Sequence, residues 1–125
     1  MNEQLEDAVR AFLDLGVKGD VAGSVDCFAD GASYQVNAWN EPFTGRDAIR
    51  QDFDRQRVLW SDFRYQLLNI GAVGNVVFTE RIDTVRVAGR DVSIHMAGVF
   101  EFDDAGKIAS WRDYFDTKEI EAQFA

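Results

Sequence analysis

The strongest constraint on this chain is a change of period at Asp62. Before it, apolar residues recur every three or four positions; after it, they alternate every second position between regularly spaced turn signals. Leu5, Ala8, Val9, Phe12 and Leu13 predict a first amphipathic helix with Gly16 as its stop. Asp20 reads as the N-cap of a second helix with Val21, Val25 and Phe28 on one side, ended by a turn at Asp30 and Gly31. Residues 32–38 read as a strand, followed by a loop around Asn40, Glu41 and Pro42. Thr44 and Gly45 open a third helix with Ile49, Phe53 and Trp60 as its inner stripe. Beyond Asp62, Phe63, Tyr65 and Leu67 alternate, and Gly71 and Gly74 bracket a turn into a strand over 75–87. Ala88 and Gly89 make a tight hairpin, 90–102 returns, 103–106 turns, and 107–115 forms the last strand. A short helix from Thr117, capped by its hydroxyl, closes the chain. Helices followed by an antiparallel meander give an α+β order. The expected architecture is a cone-shaped curved antiparallel sheet wrapped around N-terminal helices, with an open mouth suited to a ligand.

Composition narrows the function. A chain of 125 residues predicts one domain over 1–125, and 46% apolar content with ten Phe and one Pro gives it enough to bury. Its apolar runs fall far short of the ~20 residues a bilayer span needs, and the polar start Met1, Asn2, Glu3, Gln4 lacks the basic head and apolar stretch of a signal peptide. A cytoplasmic protein is expected. Cys27 is the only cysteine and His95 the only histidine, so neither an intrachain disulfide, a Cys-based zinc site nor a multi-His centre can be built. No metal or cofactor is expected. A net charge of −9 repels phosphate backbones and argues against nucleic acid.

The hairpin register picks out a site. With Ala88 and Gly89 as the loop, Val87 faces Arg90, Val85 faces Val92, Asp83 faces Ile94 and Arg81 faces Met96. A four-residue loop over 103–106 places Asp113 opposite Met96 and Trp111 opposite Gly98. One face then collects Arg81, Asp83, Val85, Val92, Ile94, Met96, Trp111 and Asp113; the other gets Thr84, Arg86, Ser93, His95 and Arg112. Burial favours turning the first set inward. Ionised carboxylates there cost several kcal/mol each unless paired, and Arg81 is their only partner on that face. With strands about 4.8 Å apart and i, i+2 positions about 6.7 Å apart, it can reach Asp83 and Asp113 together. Two carboxyls sharing one guanidinium in an apolar cup are unequal, and the more desolvated one tends to hold a proton. An acid then stands beside a base. A structural ion-pair cluster or a solvated face would use the same residues. Trp111 reads as core or as substrate wall. His95 is turned away from the cup, and Cys27 reads as a small buried hydrophobe.

The sequence around these residues resembles a known family. Thr79–Asp83, Gly98–Phe100, Gly106–Ile108 and the run Trp111, Arg112, Asp113, Tyr114, Phe115, Asp116, with Gly45–Ile49 upstream, are similar to limonene epoxide hydrolase and its relatives in the SnoaL-like, nuclear transport factor 2-like superfamily. The resemblance implies cofactor-independent addition of water to a small apolar epoxide, alicyclic or terpenoid, giving a vicinal diol. Asp113 would be the base on water, Asp83 the acid on the epoxide oxygen, and Arg81 the bridge. It also implies a water held by a Tyr-x-Asn pair. Counting back from Gly45 puts the Asn at Asn37 and the tyrosine position on Gln35, while Tyr34 points the other way unless a bulge rotates it. Trp111, Met96, Ile94 and Val85 would line the substrate pocket.

Competing classes remain on the same fold: an isomerase or polyketide cyclase that abstracts a carbon-bound proton with Asp83 or Asp113, or a non-catalytic binding module. The face carrying Ala97, Val99 and Thr84 suggests a homodimer.

Overall fold

The computed structural model describes residues 2–124. Helices α1 (Asn2–Lys18) and α2 (Val21–Asp26) lead into strands β1 (Phe28–Gln35) and β2 (Phe43–Thr44). Helix α3 (Arg46–Leu59) precedes β3 (Ser61–Val73), β4 (Val76–Val87), β5 (Arg90–Phe102) and β6 (Ile108–Tyr114), and α4 (Thr117–Ala122) follows. One sheet runs in the order β2-β1-β6-β5-β4-β3, antiparallel at every junction but the parallel β1–β6 contact. Register shifts in β1, β3 and between β5 and β6 bend it around the helices. The α+β expectation is met.

The core lies between α1, α3 and the concave face. Phe12 of α1 meets Phe28, Phe100 and Trp111 edge-on at centroid distances of 5.5, 6.1 and 5.0 Å. A fully buried side chain of this size contributes roughly 1.5–3 kcal/mol through lost water contact, and Val9, Phe28, Ile49, Val77 and Phe100 are all fully buried. No described helix is long and apolar enough to cross a membrane.

The elements depart from the sequence pattern at several ends. Helix α1 continues through Gly16 to Lys18 and stops at Gly19, whose φ of 72° suits the left-handed position after a helix. A Cβ on Gly16 would lie 3.3 Å from the Phe63 ring, so that glycine lets β3 pack closely. Asp20 caps α2 as expected, accepting the Gly23 N–H at 2.9 Å. Phe28, however, belongs to β1, which starts earlier than residue 32 and ends at Gln35. Asp30 and Gly31 lie inside that strand, at a register shift between Phe28 and Ser33, where Arg46 holds the segment. It pairs with Asp30 at 2.9 Å and donates twice to the Phe28 carbonyl.

Trp60 is not part of the α3 stripe: it follows the helix in extended conformation, and the inward position is taken by Asp52. Gly71 lies within β3, leaving the turn to Gly74 at φ 59°. Asp116, not Thr117, caps α4 by accepting the Lys118 N–H at 2.9 Å. Helix α4 lies along the edge of β5 beyond the end of β6, where Glu119 takes the His95 N–H at 2.7 Å and its ring Nδ1 at 2.5 Å.

The β4–β5 hairpin matches its expected register at every pair. Ala88 and Gly89 both have positive φ, 50° and 76°, the two-residue turn that matches strand twist. The β5–β6 register does not match. Asp113 pairs with Gly98 rather than Met96, and Trp111 with Phe100 rather than Gly98. The turn closes through Asp103 N–H to Lys107 C=O at 2.9 Å, and a second irregularity falls between Glu101 and Phe102. Each slides β6 by one residue. The net slide of two keeps every side chain on its expected face.

Candidate active site

Strand geometry builds the site. Arg81 and Asp83 are two apart on β4 and share the concave face, while Asp113 reaches the same face from β6 with β5 between. The guanidinium uses most of its fork. Nε and Nη2 donate to the two oxygens of Asp83 at 3.0 Å each, Nη2 also donates to Asp113 Oδ2 at 3.0 Å, and Nη1 donates to Thr79 Oγ1 at 2.9 Å. Met96 Sδ lies 2.9 Å from Nη2. Asp113 Oδ1 accepts the Trp111 indole N–H at 3.0 Å. All three charged residues are buried, with exposures of 1% for Arg81, 7% for Asp83 and 6% for Asp113. A solvated face is excluded.

Two carboxyls against one guanidinium leave the buried group with an excess of negative charge, which a low-dielectric site resists. Burial alone would lower the Arg81 pKa; Asp113 and Asp83 outweigh it and push it up. Arg81 is a fixed cation. Burial raises the Asp113 carboxyl against the opposing pull of Arg81, with Asp83 adding repulsion, to a pKa of about 6. A carboxyl with that pKa can take or release a proton near neutrality.

Gly98 makes this packing possible. A Cβ there would fall 2.6 Å from Arg81 Nη1, 2.7 Å from Asp113 Oδ1 and 2.8 Å from Thr79 Oγ1. Gly98, expected opposite Trp111, pairs with Asp113 instead and makes room for the charged cluster. Gly98 and Thr79 were both missed as site residues, although Thr79 was legible in principle as the next inward position of β4.

The remaining expected site residues separate into two groups. Tyr34, in phase with the buried Phe28 and Ala32 of β1, is 3% exposed and stacks on Trp111 at 4.7 Å. Its hydroxyl accepts from Gln56 Nε2 at 2.9 Å, and burial keeps its pKa above the usual phenol value. Gln35 points elsewhere: its amide donates to the loop carbonyls of Ala38 and Asn40 at 3.1 and 2.8 Å, so it is not brought to the cluster. Asn37 is buried and braces strand ends, donating to the Phe115 carbonyl at 3.0 Å and accepting the Trp39 N–H at 3.4 Å. Its neighbour Ala38 donates to the Asp113 carbonyl at 2.8 Å, which sets Asn37 beside that strand position. Met96, Ile94 and Val85 share the face of Asp83, with Ile94 buried and the other two half-buried. Trp111 serves as core, stacking on Phe100 at 5.2 Å, and as a donor to Asp113.

A hollow of about 340 Å³ opens elsewhere, lined by Ala8, Asp26, Cys27, Phe102 and Lys107 among others. Its polar groups are spent locally, the Cys27 thiol on the Gly23 carbonyl and the Lys107 ammonium on the Asp26 carbonyl. It brings no two carboxyls together on one guanidinium, whereas the Arg81 cluster does.

Comparison with known proteins bears on the family and the fold. The family model described as the limonene-1,2-epoxide hydrolase catalytic domain matches residues 4–125. Epoxide hydrolase EphG of Mycobacterium tuberculosis is 43% identical over 58 residues, 46% of this chain and 38% of that relative, so the match spans well under half of the curated protein. A solved M. tuberculosis LEH-like epoxide hydrolase superposes with a TM-score of 0.86 at 30% identity, over 98% of this chain and 90% of that one. The epoxide hydrolase/cyclase-like enzyme SalBIII superposes at 0.85 over 94% of each chain, and at 20% identity it speaks to the fold alone. With the family model matched over nearly its whole length, the chain belongs to the limonene-1,2-epoxide hydrolase family.

Proposed function

We propose that this protein adds water to a small apolar epoxide, alicyclic or terpenoid, in one step and without a cofactor, giving a vicinal diol. Asp113 takes a proton from water as the water oxygen bonds to a ring carbon. The carbon–oxygen bond of the epoxide breaks, and Asp83 delivers its proton to the departing oxygen. Arg81 holds both carboxyls and balances the charge that moves between them. Passage of the proton from Asp113 back to Asp83 resets the pair. Ile94, Met96 and Val85 supply the apolar wall, and Tyr34 and Asn37 orient the water. Gln35 has no part in this reading.

The observation that carries it is one buried guanidinium binding two carboxyls, with Asp113 poised at a pKa of about 6. A single turnover in oxygen-18 water tests it. The label is expected in the diol on that first turnover, because water attacks directly. Label that enters an enzyme carboxyl first, and reaches the diol only in later cycles, would show a covalent ester and refute the one-step route.

A further inference from the structure

A second buried polar cluster stands behind Tyr34, outside the Arg81 trio. Asp52 of α3 is 3% exposed, and its carboxylate is tied to the Arg55 guanidinium through Oδ1 and to Gln56 Nε2 through Oδ2, the latter at 2.7 Å. The same Gln56 nitrogen lies 2.9 Å from the Tyr34 hydroxyl. A carboxylate paired with a guanidinium offers only acceptors, so it must face the NH₂ end of the Gln56 amide rather than its oxygen. That orientation gives Tyr34 an N–H donor and forces the phenol oxygen to accept. The phenol's own hydrogen is left over. Among the described residues, Gln56 is the one hydrogen-bond partner of this hydroxyl, and the hydroxyl sits within the fields of Asp113 and Arg81.

We infer that Asp52 and Gln56 form a positioning relay that fixes Tyr34 as a hydrogen-bond donor toward the water held at Asp113. The inference rests on the epoxide hydration reading. A water facing a donor turns its oxygen to Tyr34 and cannot spend a hydrogen there, so its hydrogen is directed to the Asp113 carboxylate. Without the relay the phenol can rotate, accept from the water and draw that hydrogen away from the base. Asp52 and Gln56 touch no reacting atom; they act through Tyr34.

A double-mutant cycle on diol formation separates this role from simple stabilisation. Tyr34→Phe and Gln56→Met are each expected to lower kcat about tenfold with KM changed less than about twofold, since the defect lies in the orientation of water and not in holding the epoxide. The double variant is expected to be no slower than Tyr34→Phe alone, because Gln56 has nothing left to act on. Multiplying losses would overturn the relay. A second arm needs no turnover: the Cζ carbon-13 resonance of Tyr34, one of three tyrosines and assignable by its absence in Tyr34→Phe, should shift in Asp52→Asn, although Asp52 makes no hydrogen bond to Tyr34. An unmoved resonance refutes the relay even where Gln56→Met fails to fold. Wild-type protein that hydrates no epoxide refutes the hydrolase reading instead, while the resonance still judges the relay.

Discussion

The two buried polar clusters meet at Trp111 and Tyr34 but handle charge in opposite ways. The sheet cluster keeps Arg81, Asp83 and Asp113 wholly inside, with side-chain exposures of 0, 10 and 9%. The helix cluster buries Asp52 just as deeply but neutralises it with Arg55, whose side chain is 63% exposed. The sheet cluster therefore carries an unresolved charge that a proton can settle, while the helix cluster vents its charge to water. In the first, burial and the Asp83 carboxyl raise the Asp113 pKa to about 6. Strand spacing holds its members at fixed separations, whereas the second is held by i, i+3 and i, i+4 neighbours on one helix.

The sharpest way to break that contrast is to neutralise each carboxyl of the sheet cluster. Asp113→Asn and Asp83→Asn are each expected to lower kcat by about 10²–10⁴, the span of a general acid or base. Their effects on stability should differ in sign. The folded Asp113 carboxyl has its pKa raised from 3.8 to about 6. Its protonated form is therefore favoured by folding; that advantage is full below about 3.8 and lost as pH rises through about 6. The shift corresponds to roughly 3 kcal/mol against the ionised form. Asparagine resembles the protonated form, so at pH 8 Asp113→Asn should unfold at or above the wild-type Tm. It should also flatten the slope of stability against pH between about 4 and 6. Asp83→Asn turns an NH₂ group toward one of the two Arg81 N–H donors that Asp83 accepts, and costs up to about 3–5 kcal/mol. Thermal unfolding at pH 5 and 8 reads both, and wild-type activity should fall as pH drops through about 6 with Asp113. An Asp113→Asn protein less stable than wild type at pH 8 would remove the charge excess from the argument.

Gly98→Ala tests the packing of the same cluster without altering any charge. The added methyl meets the guanidinium, the Asp113 carboxyl and the Thr79 hydroxyl at under 3 Å, and none can retreat without leaving a partner. We expect a stability loss of about 1–3 kcal/mol from overpacking and a fall in kcat approaching that of Asp113→Asn. Normal kcat in this variant would mean that Arg81 and Asp113 need not be this close.

The sheet cluster was the more legible of the two because its determinants are local. A two-residue turn fixes the β4–β5 register, and alternation then sends Arg81 and Asp83 inward with Val92 and Ile94. Even the misjudged β6 register kept Asp113 on the correct face, since the tighter turn and the extra irregularity each moved the strand by one. Gly98 was read for the wrong neighbour for the same reason. On the other side the pattern ran out. A carboxylate at position 52 of a polar helix reads as solvated, and only the tertiary approach of Tyr34 and Gln56 gives it a reason to be inside. Tyr34 itself faces inward with Phe28 and Ala32, and which side of β1 is buried is set by its contacts with Phe12, Phe53 and Trp111, which lie far along the chain. Periodicity cannot register a contact between distant segments.

The smallest expected effect comes from the vented side. Arg55 pairs with Asp52 from a largely exposed position, where solvent takes over much of any charge that is removed. Arg55→Gln leaves the 2.7 Å contact between Gln56 and Asp52 in place. Unfolding by urea should therefore show a loss below about 1 kcal/mol, the range of exposed ion pairs. The fall in kcat should be smaller than in Gln56→Met, because water can substitute for the guanidinium but not for the buried amide. If Arg55→Gln were as damaging as Gln56→Met, Asp52 would depend on its cation as strictly as Asp83 does, and the difference between the two clusters would disappear.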